Sequence, residues 1–401
     1  MGRERDSQPI RVSCSCRAPS SEGHGDNRST VPKETIISTQ RQHEALPDTG
    51  SFEIIRTTED RTGPEFHTVP IVLPHLDHAP VVIDTSWHGR HGISRFSAEV
   101  LRRVHVPRRF ITSGASPASP ADVVAAWRMR LGKDDVVFTP GFNAGVTRAR
   151  QVLTLHDLIH LEDGDEGSMA KRVYYERLVR PAVRRAGTVL TVSETSRAAI
   201  REWLRDDHVD VVNVGNGVSD LFFQPSEAQR SGRDLLYVGN LKPHKNPGPV
   251  FAALRLVPDA SLTVVTSDVA GVEALGRQHG VEDRVRAVAS CTDRELRDLY
   301  AASTALVIPS LREGFGLPAV EALAVGTPVI HWHGCDSVAE IVGSHGAAVD
   351  DAHDAEAWAD AIGAALRGHV WSGRPEGWAE QWSWDGVARR IDRALRAVAV
   401  R

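Results

Sequence analysis

The strongest constraint on this chain is an alternation, run through twice, of short β-branched segments with helical ones. In the first series, residues 81–83, 109–112, 136–138, 152–155 and 188–192 read as strands. Helices are predicted at 93–103, 120–131 and 169–186, and Ser193 caps a further helix to about 204. The second series has strands at 235–238, 262–266, 285–288, 305–308 and 329–330, with one helix opened by the capping box Thr292-Asp-Arg-Glu295. Strands that alternate with helices predict parallel sheets joined by crossovers. The polar stretch 216–233, with Pro225, Ser226, Ser231 and Gly232, reads as a linker between the series. The fold class is therefore α/β, with two doubly wound domains in tandem. Their ligand belongs in the cleft between them, outside the carboxyl ends of the strands.

A chain of 401 residues has room for two or three domains. The boundaries read as a Ser-, Pro-, Gly- and charge-rich segment at 1–78, a first domain at 79–225 and a second at 226–384. A last helix near 385–400 is expected to pack back on the first domain. Segment 1–78 reads as a flexible leader, or as a start codon placed too far upstream. The 41% apolar and 25% charged content is that of a soluble globular protein. A net charge of −5 argues against a bulk electrostatic grip on nucleic acid. No run approaches the roughly 18 apolar residues of a membrane span. Cys14, Cys16, Cys291 and Cys335 form no C-x-x-C pair, and the first residues carry no apolar signal core, so a reducing cytoplasm is expected. The 47 basic residues divide into 42 Arg and 5 Lys, which makes each Lys informative.

The chemistry is concentrated in Pro309-Ser-Leu-Arg-Glu-Gly-Phe-Gly-Leu-Pro-Ala-Val-Glu-Ala-Leu-Ala-Val-Gly-Thr-Pro328. A strand ends at Ile308, a loop holds Gly314 and Gly316, and a helix begins near Pro318. Free N–H groups at that helix start, with the helix dipole, make a seat for phosphate. Glu313 precedes the seat and Glu321 lies one turn inside the helix. Carboxylates beside a phosphate seat suit sugar hydroxyls as partners, which points to a nucleotide-sugar.

This stretch closely resembles the Glu-x7-Glu signature of the retaining glycosyltransferases of family four, which have the GT-B fold of two Rossmann-like domains facing across a cleft. The resemblance covers about 79–390 and takes in Leu236-Tyr-Val-Gly-Asn-Leu-Lys-Pro-His-Lys-Asn246, Leu155-His-Asp-Leu158, Val192-Ser-Glu194, Asn216-Gly217 and Trp382-Ser-Trp384. It implies that Glu321 binds the donor ribose and that Glu313, with Gly314, Phe315, Gly316 and Leu317, holds the sugar. It places the phosphate-binding lysine at Lys245, in a loop that starts at Gly239. Many members carry an Arg just after that glycine or just before that lysine. Asn240 and His244 stand there in this chain, which leaves Lys242 as the candidate for a second cation. His156 matches the histidine that approaches the donor sugar; a core histidine satisfied by backbone is the competing reading. Gly92, in Trp87-His-Gly-Arg-His-Gly-Ile-Ser-Arg95, matches the family's glycine loop near donor and acceptor. No cofactor and no metal are implied. Asp163-Gly164-Asp165 spells a metal-binding pattern of another glycosyltransferase fold, but it reads as a solvated acidic turn.

The expected function is transfer of a hexose from a nucleoside-diphosphate-sugar to a hydroxyl of a saccharide or lipid-linked acceptor. The loop motifs look most like those of mannosyltransferases, which favours GDP-mannose. The basic amphipathic stretch Lys171-Arg-Val-Tyr-Tyr-Glu-Arg-Leu-Val-Arg180 offers peripheral contact with an anionic membrane, with a solvated helix face as the equal alternative. An epimerase or phosphorylase on the same fold, or a noncatalytic scaffold, are the rival readings. Release of free nucleotide from nucleotide-sugars separates them.

Overall fold

The computed structural model describes residues 80–89, 92–128, 131–162, 166–370 and 373–400, all within one unit, Leu76–Arg401. The segment expected to be a leader, 1–78, and the Asp163-Gly164-Asp165 triplet lie outside the described residues.

The first lobe carries β1 (Val81–Asp84), β2 (Arg108–Ile111), β3 (Val136–Thr139) and β4 (Arg150–Leu153), all parallel in the order β2-β1-β3-β4. β5 (Thr188–Thr191) pairs in parallel with β6 (Asp210–Asn213). The Thr154–Leu190 bridge, with Leu155 N–H donating to the Leu190 carbonyl at 2.8 Å, links β4 to β5. β1, β3 and β5 are buried along their whole length, as strands covered by helices on both faces must be.

The second lobe holds β7 (Asp234–Val238), β8 (Ser261–Val265), β9 (Val285–Val288), β10 (Ala305–Ile308), β11 (Val329–Trp332) and β12 (Gly346–Val349), parallel in the order β12-β11-β10-β7-β8-β9. The chain starts in the middle at β7, winds outward to β9, then crosses back to β10 and winds out the other way. The order therefore reverses between β7 and β10, and the loops that leave these two strands open a crevice. The same reversal occurs between β1 and β3 in the first lobe.

Local chemistry sets the helix ends. Ser193 Oγ accepts the Ser196 amide at 3.0 Å, and both arms of the Thr292–Glu295 capping box are made. Several elements differ from the sequence reading. Asp210-Val-Val-Asn and Gly346-Ala-Ala-Val become the strands β6 and β12 because β5 and β11 pair with them; alone they lack a strand pattern. The helix expected at 169–186 is interrupted by a π-helical turn, Tyr175–Val179, between Glu166–Tyr174 and Arg180–Ala186. The stretch 216–233 is more than a linker: its turn Asp220–Phe223 buries Phe222 with ring centroid 6.0 Å from that of Tyr300.

The terminal helix Trp384–Val400 lies against helix Gly92–Arg103 of the first lobe. Asp392 accepts the amides of His105 and Val106 at 3.0 Å, and Arg150 donates to the Val398 carbonyl at 2.6 Å. No helix among the described residues is long and apolar enough to cross a membrane.

Candidate active site

Adjacency of β7 and β10 brings two loops together that are far apart in sequence. After β7 the chain turns at Gly239 and reaches the short turn Pro243–Lys245; after β10 it runs through Glu313 into helix Leu317–Val325. Lys245 Nζ donates to both oxygens of Glu313 at 2.6 Å, and Ser310 Oγ donates to Glu313 Oε1 at 2.8 Å. The carbonyls of Glu313 and Gly314 both accept side-chain hydroxyls. Ser337 Oγ donates to the first at 2.8 Å, and Ser193 and Ser196 of the opposite lobe donate to the second at 2.8 and 3.0 Å. Gly316 caps the helix with φ +106°, a conformation that disfavours side chains, and Pro318 occupies its first turn.

A cavity of about 410 Å³ opens onto that helix start. Lys245, Glu313, Gly314, Phe315, Gly316 and Leu317 line it from the second lobe, while Gly92, Ile93, His156, Asp157 and Val192 line it from the first. His156 Nε2–H donates to the Pro140 carbonyl at 3.1 Å, and its ring meets Phe96 edge-on at 4.8 Å. The histidine is thus held by the backbone and at the same time faces the cavity. Asp157 takes the Ile159 amide on Oδ1 at 3.1 Å. Burial pushes its pKa up, but His160, His156 and that amide outweigh the push and hold it below the ordinary carboxylate value. A methyl on Gly314 would fall 2.5 Å from Asp157 Oδ2, so a side chain there requires Asp157 or the loop to shift.

The other expected site residues lie outside this lining. Gly239 ends β7 with its N–H on the Val265 carbonyl. The Asn240 carbonyl accepts Tyr237 OH at 2.6 Å, and its side-chain oxygen accepts the Lys242 amide at 3.1 Å, so Asn240 holds the loop rather than adding charge. Lys242 is exposed. Glu321 is buried at 4% exposure; Tyr300 OH donates to Oε2 at 3.0 Å, and Arg95 of the first lobe donates to Oε1 at 3.2 Å. Burial raises the Glu321 carboxyl to about 7 against the opposing pull of Arg95 and Tyr300.

Residues 218–380 match the family model described as glycosyl transferases group 1, and residues 66–217 match a glycosyl transferase 4-like domain. The chain belongs to the group 1 glycosyltransferases. Among relatives of this glycosyltransferase, O-antigen chain mannosyltransferase B of Escherichia coli is 28% identical over 293 residues, 68% of this chain and 76% of that protein. O-antigen chain mannosyltransferase RfbU of Salmonella typhimurium is 30% identical over 207 residues, 50% of this chain and 57% of its own. Sucrose-phosphate synthase from Thermosynechococcus elongatus superposes with a TM-score of 0.59 at 20% identity, over 80% of this chain and all but 1% of its own, as expected of a shared GT-B fold. The protein is a transferase enzyme.

Arg95 and Tyr300 of this glycosyltransferase carry no mark in the sequence. Arg95 is one of 42 arginines, and only the approach of the two lobes gives it Glu321 and, at 3.0 Å, Asp293. Tyr300 sits in an amphipathic helix, Asp293–Ala302, where an aromatic reads as core.

Proposed function

We propose that the enzyme transfers a hexose, with mannose from GDP-mannose the first choice, to a hydroxyl of a saccharide or lipid-linked acceptor, with retention at the sugar carbon and without a metal ion. The observation that carries this reading is the convergence of Lys245, Glu313, the start of helix Leu317–Val325 and His156 on one cavity. The names of the mannosyltransferase relatives support the choice of sugar.

In this reading the sugar lies between Glu313 with the backbone of Gly314 to Leu317 on one side and His156 on the other. The diphosphate meets the helix start and Lys245, and Glu321 takes the ribose hydroxyls. As the bond from C1 to the phosphate oxygen breaks, charge develops on the diphosphate, where a fixed ammonium and oriented N–H groups stabilise it. The acceptor oxygen forms its bond to C1 on the same face, and its proton passes to the departing phosphate oxygen. Helix Glu166–Tyr174 exposes Met169 and Val173 beside Lys171 and Arg172, a surface suited to an anionic membrane where a lipid-linked acceptor resides.

The deciding experiment incubates the protein with GDP-mannose and a panel of other GDP-, UDP- and dTDP-hexoses and follows nucleoside diphosphate release. Release that is selective for GDP-mannose supports the reading; turnover confined to another donor replaces the sugar assignment.

A further inference from the structure

The cavity holds too little positive charge for its ligand. Lys245 is the one Lys or Arg among its lining residues, and both oxygens of Glu313 already neutralise it at 2.6 Å. The helix start contributes about half a charge. Lys242 is exposed and outside the lining. A nucleoside diphosphate therefore needs another cation, and the loop after β7 does not hold one in place.

The opposite lobe does. Arg95 stands in the first turn of helix Gly92–Arg103, whose opening residues Gly92 and Ile93 line the cavity. Its guanidinium crosses the cleft to Glu321 Oε1 at 3.2 Å and Asp293 Oδ2 at 3.0 Å, over the ring of Phe222 at 5.8 Å. Glu321 is four residues beyond Leu317, about 6 Å along the helix axis from the expected phosphate seat. The guanidinium thus waits one helical turn from that seat, and only one of its two carboxylate partners belongs to the proposed ribose site.

Resting on the donor reading above, we propose that Arg95 is the second diphosphate-binding cation of this enzyme, supplied by the first lobe. Ribose hydroxyls arriving at Glu321 take over Oε1, and the released guanidinium turns to the diphosphate while Asp293 keeps its base in place. One anion replaces another on Arg95, while at Glu321 hydroxyl donors from the ribose and Tyr300 replace the guanidinium. Arg suits this exchange because its two terminal nitrogens serve different carboxylates, Nη1 on Glu321 and Nη2 on Asp293, so one can change partner while the other stays bound. Donor binding would then require the lobes to be together, since the two cations come from different lobes.

The test compares GDP and UDP with guanosine and uridine, by calorimetry, on the wild type, Arg95→Gln and Arg95→Lys, with the fold of each checked by circular dichroism. Arg95→Gln should weaken nucleoside diphosphate binding by about 10- to 100-fold and shift nucleoside binding by less than about threefold, with Arg95→Lys in between. If Arg95 only latches the lobes, Arg95→Gln leaves diphosphate affinity unchanged or tightens it, and the proposal fails. Equal losses for diphosphate and nucleoside also overturn it. A wild type that binds neither diphosphate removes the donor reading and this assignment together, whereas failure confined to Arg95→Gln leaves the donor reading intact.

Discussion

Lys245 and Glu313 stand 68 residues apart in the chain, yet the lysine ammonium lies 2.6 Å from both oxygens of the carboxylate. Neighbouring strands β7 and β10 impose that contact. It holds two groups of opposite charge together on the cavity wall, where the proposed donor would present its diphosphate and its sugar.

Lys245→Ala should lower the turnover number by about 100-fold or more, as loss of a preorganised charge at a developing anion does. The thermal midpoint should fall as well, because Glu313, with 15% of its side chain exposed, loses its cation and keeps the hydrogen bond from Ser310. Steady-state kinetics on the donor found by the panel measures this, and undiminished turnover would remove Lys245 from the site.

Gly314→Ala places a methyl 2.5 Å from Asp157 Oδ2 and close to its Cβ and Cγ. Because the Gly314 carbonyl is held by Ser193 and Ser196, the loop cannot back away without losing those bonds. A cost of about 1–3 kcal/mol is expected in urea denaturation, together with a loss of transfer. A neutral result would mean that the loop moves freely against the first lobe.

The pH dependence of stability should carry the mark of Glu321. Its carboxyl is raised by burial to about 7 from the ordinary 4.5. The folded chain therefore holds a proton that the unfolded chain has lost across this window, and the associated stability, fully present below pH ~4.5, disappears as pH rises through ~7. Glu321→Gln should reduce the fall in unfolding free energy between pH 5 and 8 by roughly 2–3 kcal/mol relative to wild type. Parallel profiles for the two proteins would contradict this.

Asp392→Ala strips the partner from the amides of His105 and Val106, the second of them buried. Leaving such donors unsatisfied costs about 1–3 kcal/mol. Hydrogen exchange should accelerate in Gly92–Arg103 and β2 while the strands of the second lobe stay protected. Uniform acceleration in both lobes would show that they unfold as one cooperative unit.

Transfer measured in EDTA should equal transfer in added magnesium within about twofold, because the reading assigns the diphosphate charge to Lys245, Arg95 and a helix start. A dependence on divalent ions would require a different account of the leaving group.

The sequence by itself determined what is written in local pattern. Period and caps marked most helices and strands, though not the π-helical break at Tyr175–Val179, since a β-branched run such as Val81-Val82-Ile83 or a capping box such as Thr292 to Glu295 carries its own physics. The Glu-x7-Glu spacing placed Glu313 before a helix and Glu321 inside it. Tertiary structure decided everything that depends on which strand lies beside which. It paired Lys245 with Glu313, took Asn240 and Lys242 out of the cavity lining, and made β6 and β12 strands through their neighbours. It also turned Glu321 from an open carboxylate into a buried one with Tyr300 and Arg95 as partners. The physical reason is that a residue's charge is local, whereas its desolvation and its partners are set by segments hundreds of residues away, as the 226-residue separation of Arg95 and Glu321 shows.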